Sequence, residues 1–153
     1  MTDRISKNLI NTLLMSVSIG FSVTTYAHDS GAQALGAAAG ATDVFAVFCT
    51  DDGTGPTSYL QYQIQETSGK NTTSPLVSMQ AISSTGKNFY NTTDPVNGDA
   101  GFSPWVYAYG PNGTFYVIVN KTSTNAITYD FTYHCMTAEN EHTGTDIQKL
   151  QDQ

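Results

Sequence analysis

Charge is scarce in this chain of 153 residues: charged side chains make up 12% of it, with six Lys and Arg against thirteen Asp and Glu. That is about half the usual proportion, and unlike a helical cytoplasmic protein. So few basic groups leave no electrostatic footprint for nucleic acid or an anionic lipid surface, and both are excluded as partners. Cysteine is nearly missing too. The two present, Cys49 and Cys135, have no C-x-x-C neighbour, which excludes a redox motif, a four-thiolate zinc site and c-type haem attachment. The G-x-S-x-G elbow and the H-E-x-x-H zinc helix are also absent, so the chain carries no hydrolase signature and is read as a non-enzyme. Hydrophobic residues at 39% still suffice for a core, and the length suits one domain.

The first 27 residues read as an export signal. Arg4 and Lys7 form a basic start, Leu9 to Val23 is mostly apolar, and Thr25-Tyr26-Ala27 offers small residues to a signal peptidase. The apolar stretch, roughly 15 residues, falls short of the ~18–20 that span a bilayer, so cleavage after Ala27 is expected rather than a retained anchor. The expected destination is the periplasm or the extracellular space, with no membrane insertion after processing. Removal leaves four basic and twelve acidic side chains, and puts His28 at the new N-terminus. In an oxidising compartment Cys49 and Cys135 are expected to form one structural disulfide.

Residues 28–42 contain GAQALGAAAGAT and read as a compliant Gly/Ala-rich leader, with at most a helical turn near Ala34 to Ala39. From Asp43 the period changes to two. Strands are expected at Asp43–Cys49, Tyr59–Gln65, Leu76–Ile82, Asn88–Thr92, Trp105–Tyr109, Thr114–Lys121 and Ile127–Cys135. Pro111-Asn112-Gly113 predicts a tight hairpin between the fifth and sixth of these. Seven short strands rich in Thr, Tyr, Phe and Val predict an all-β fold, a single antiparallel jelly-roll-like β-sandwich over residues 43–136. Cys49 and Cys135 lie in phase with apolar neighbours, so the bridge is expected to clamp the first core strand to the last. Residues 137–153 read as a polar C-terminal tail with one marginal helical turn over Asp146 to Gln153.

Three fragments, Asp43-Val44-Phe45-Ala46-Val47, Gly113-Thr114-Phe115-Tyr116-Val117-Ile118-Val119 and Tyr129-Asp130-Phe131-Thr132, resemble the strands of prepeptidase C-terminal bacterial β-sandwich domains. The chain departs from that family in following a signal peptide alone and in bridging its outer core strands. The resemblance implies a non-catalytic accessory or binding module, in some members calcium-associated. In style the chain is also similar to short secreted proteins of environmental proteobacteria.

Three constellations carry candidate chemistry. After cleavage, the amine and imidazole of His28 chelate a metal together, and a second imidazole from His142 or His134 completes a three-nitrogen copper(II) site, as in a histidine brace. Solvated histidines are the plain alternative. Asp51-Asp52-Gly53 and Asp94-Pro95-Val96-Asn97-Gly98-Asp99 are oxygen-rich candidate calcium loops, although neither matches an EF-hand and acidic turns are common. Trp105, Tyr107 and Tyr109 share one face of a strand. Exposed, they would stack on sugar rings. Val106 and Ala108 look too small to form the only core side, so the three rings are read as core.

The resulting expectation is an exported, disulfide-stapled, non-catalytic β-sandwich that acts as a binding or accessory module. A periplasmic copper-binding protein is the first alternative. The second is a subunit of an extracellular structural or adhesive assembly, built through open sheet edges.

Overall fold

In a computed structural model that describes residues 28–69, 74–99 and 101–153, ten antiparallel strands form two five-stranded sheets and no helix. The expected signal peptide lies outside the described residues. The strands are β1 (His28–Asp29), β2 (Gln33–Leu35), β3 (Asp43–Thr50), β4 (Tyr59–Glu66), β5 (Val77–Ser83), β6 (Tyr90–Thr93), β7 (Val106–Tyr109), β8 (Gly113–Lys121), β9 (Ile127–Met136) and β10 (Gly144–Gln151). The front sheet runs β1-β9-β4-β7 with β2 also on β9, and the back sheet runs β10-β3-β8-β5-β6.

Period-two side chains explain the layering. Leu60, Tyr62 and Ile64 on β4 and Tyr129, Phe131, Tyr133 and Cys135 on β9 face Phe45, Val47, Met79, Phe115, Val117 and Val119 of the back sheet, all of them buried. Cys49 on β3 and Cys135 on β9 are bonded, with Cα atoms 5.5 Å apart, so the bridge joins the two sheets. A bridge closing 86 residues of sequence contributes about 4–5 kcal/mol in the chain-entropy treatment.

Three local expectations are corrected. The last is the largest: the segment expected to make at most a helical turn is strand β10, paired with β3 from Gly144↔Thr50 to Gln151↔Val44. Half of its residues are exposed and half are half-buried, and only Ile147 is an apolar side chain packed on the core, so the segment shows no hydrophobic alternation. What holds it is the backbone edge of β3, which would otherwise be bare. The Gly/Ala-rich leader likewise contributes β1 and β2, and Lys121 Nζ fixes it by donating to the carbonyls of Gly36 and Ala38 (2.7 Å for the latter). The Asn-Gly turn does not close a hairpin. β7 belongs to the front sheet and β8 to the back, so residues 110–113 form a corner between sheets. Asn112 spends its Oδ1 on the Thr57 N–H (2.7 Å), and Gly110 lies so close to Ser83 that a Cβ there would sit 2.4 Å from Ser83 Oγ. Gly113 takes a φ of 142°.

Candidate metal centre

His134 lies on β9 between two inward-facing residues, Tyr133 and Cys135. Its own side chain therefore faces the outer surface of the front sheet, where Gln61 of β4 is its register partner. Two other segments come to it. β1 pairs with β9 so that His28 meets Tyr133 and Asp29 meets Thr132, which brings the His28 ring to 6.1 Å from that of His134. After β9 the chain reverses at once: Thr137 Oγ1 accepts the N–H groups of Glu139 and Glu141, and Asn140 adopts a φ of 65°. That turn sets His142 opposite Met136 and places its ring 4.3 Å from His134.

The outcome is a compact nitrogen cluster. One ligand-capable atom from each of His28, His134 and His142 lies within 4.8 Å of the others, and among the described residues this is the one group of three or more His, Cys, Asp or Glu side chains so placed. His134 is only 6% exposed. The Nδ1 atoms of His28 and His134 are buried and have no hydrogen-bond partner. Burial, reinforced by His142 and His28, pushes the imidazole of His134 down to about 4, and burial followed by His28 lowers that of His142. Both are neutral near pH 7, the form in which imidazole ligates metals. Four residues back along β9 from His134, Asp130 accepts a hydrogen bond from Ser30 Oγ (3.0 Å), while burial and a hydrogen bond shared with Asp29 push its carboxyl up to about 6.

The aromatic trio is exposed rather than core, with Trp105 at 37%, Tyr107 at 41% and Tyr109 at 60%. Small inward residues suffice on β7, because Ala108 is fully buried and Val106 packs against a core already filled by Tyr62, Tyr129 and Phe131. Tyr107 and Tyr109 flank Tyr59, with ring centroids 5.5 and 5.8 Å away. With Gln61, Met136 and Asn140 these tyrosines line a groove of about 380 Å³. Gln61 pairs with both Tyr107 and His134, and the Trp105 ring lies 6.0 Å from His134, so the groove adjoins the histidines.

Three of the four candidate calcium acids, Asp51, Asp52 and Asp99, sit exposed in turns. Asp51 accepts N–H groups from Gly53 and Gly55, Asp52 from Thr54, and Asp99 from Gly101, which are ordinary turn-closing roles. Asp94 is different. It is 1% exposed, and its Oδ2 accepts the Glu66 N–H at 2.7 Å. Sequence reading missed Gln61, Met136 and Asn140 as groove residues. Met136 carried a usable signal, its two-residue spacing from His134 on one strand; Asn140 carried none.

An all-β, two-sheet, disulfide-bridged protein with a tri-histidine cluster at one sheet surface is the class that fold and site define. No family model matches the chain, and no curated protein or solved structure matches it significantly.

Proposed function

We propose that this is an exported copper(II)-binding protein whose centre is His28, His134 and His142, joined by the α-amine of His28 once the leader is removed. The carrying observation is the convergence of three imidazole nitrogens within 4.8 Å, two of the rings holding a buried, unpartnered Nδ1. An all-nitrogen set favours copper(II) over the other divalent first-row ions. Both cysteines are in the disulfide, so no thiolate competes for the ion. The disulfide also supports an oxidising location, and no helix among the described residues is long and apolar enough to cross a membrane.

Calorimetric titration tests this. Protein beginning at His28 is expected to bind one Cu(II), and one additional N-terminal residue is expected to weaken affinity by about tenfold or more, ~1.4 kcal/mol. Equal affinity for both forms removes the amine from the ligand set, and no binding by either overturns the proposal.

A second reading rests on the exposed tyrosines. The groove is lined only by uncharged groups, ring faces beside amides, which suits a neutral carbohydrate.

A further inference from the structure

Glu66 ends β4 and continues its inward row after Leu60, Tyr62 and Ile64, so it points between the sheets, and it is 0% exposed. Its Oε1 accepts the Ser68 N–H at 2.8 Å. Its Oε2 is buried and has no hydrogen-bond partner. From the opposite sheet, Asp94 leaves β6 with its own N–H bound to the Val77 carbonyl, and crosses to accept the Glu66 N–H. Three residues further on, Asn97 donates Nδ2 to the Ser74 carbonyl, while its Oδ1 is buried and also unpartnered. Asp94 has each oxygen answered once, Oδ1 by the Val96 N–H at 3.0 Å, so the orphaned atoms at this end of the sandwich are Glu66 Oε2 and Asn97 Oδ1. The ion pairs among the described residues belong to Lys149, so neither acid is neutralised by one of them.

A buried carboxylate without a compensating charge is strongly unfavourable, and it is relieved by a proton or a cation. Two carboxylates with an amide oxygen form a hard, oxygen-only donor set, which suits calcium and not copper. We infer that Glu66, Asp94 and Asn97 bind a calcium ion that ties the end of β4 to the loop after β6. This site is separate from the histidines. Glu66 lies five positions along β4 from Gln61, the partner of His134, or about 17 Å at strand rise.

The test is thermal unfolding of the oxidised full chain in calcium chloride against EGTA, with calcium titration by calorimetry. Calcium at ~100 times its dissociation constant is expected to raise Tm by about 5–10 °C. Magnesium is expected to do less. Glu66→Gln is expected to abolish the shift and leave Cu(II) binding unchanged. Asn97→Ala, at a position partly open to solvent, is expected to fold normally and to weaken calcium about tenfold. A wild type that shows neither a shift nor heat with calcium overturns the inference. A shift that survives undiminished in both variants overturns it as well, by placing the ion elsewhere.

Discussion

Asp43 and Glu66 are both fully buried acids, one opening β3 in the back sheet and one closing β4 in the front. Their surroundings are opposite. Asp43 receives the Tyr129 hydroxyl and the Lys149 ammonium (3.1 Å) on Oδ2, and the Gln153 N–H (2.9 Å) on Oδ1. Glu66 receives one N–H on one oxygen. A buried charge whose lone pairs are all answered by the chain is part of the scaffold, whereas one left half-answered is poised for something the chain does not supply. The same contrast separates Lys121, spent on the carbonyls of Gly36 and Ala38, from the bare Nδ1 atoms of His28 and His134.

The strongest way to break this comparison is to remove each acid in turn. Asp43→Ala strands the Tyr129 hydroxyl and deprives Lys149 of its buried partner. We expect a loss of about 3–4 kcal/mol, read from urea denaturation in EGTA. Glu66→Gln under the same conditions is expected to stay within ~1 kcal/mol of wild type, because it replaces an oxygen that has no hydrogen-bond partner among the described residues. Equal losses would mean that the two acids play the same structural part.

Much of the architecture could be read from alternation alone. β4, β5, β8 and β9 each place every second side chain in the core, and the two cysteines fall in phase with those rows. β10 escaped because its partner is a backbone edge, and edge pairing leaves no hydrophobic signature on Gly144–Gln151. The corner at 110–113 escaped because Asn-Gly reports the local turn geometry and not the sheet that the next strand joins. At the site, the sequence offered three histidines without proximity. Nothing local says that a ring at position 28 meets rings at 134 and 142, since strand pairing and the turn at Thr137–Asn140 bring them together. Glu66 falls one residue beyond the expected strand Tyr59–Gln65; the parity of its position with Ile64 is the available clue.

A smaller effect sharpens the comparison through pH in metal-free protein. His134 titrates near 4 when folded and near its ordinary 6.5 when unfolded. The unfolded chain therefore takes up the proton first, so this stabilisation is full above pH 6.5 and fades as pH falls towards 4, by about 3 kcal/mol. Asp130 runs the other way. Raised to about 6 from an ordinary 3.8, it favours the fold below pH 3.8 and loses that contribution as pH rises through 6. The two oppose each other between pH 4 and 6, so wild type is expected to show a shallow profile there. Asp130→Asn unmasks the histidines and is expected to steepen the loss of stability in acid, while His134→Gln is expected to reverse the slope. Parallel profiles for all three proteins would show that the cluster does not titrate as its burial implies.

The smallest expected effect concerns the groove, where the comparison turns from buried acids to exposed rings. Tyr109 is 60% exposed, so Tyr109→Ala is expected to change stability by under ~0.5 kcal/mol. If a neutral β-glucan hexasaccharide stacks there, the same change is expected to weaken its binding about fivefold, ~1 kcal/mol. Titrating the sugar with and without Cu(II) then tells whether groove and histidines are one site or two. Gln61 links Tyr107 to His134 across β4, and Met136 faces His142 while lining the groove, so a metal that fixes those histidines also fixes two groove walls. Linkage requires that any gain in sugar affinity caused by copper be matched by an equal gain in copper affinity caused by sugar. Sugar affinity that is indifferent to the metal would mean that the shared wall is only structural, and that the tyrosines serve a separate function.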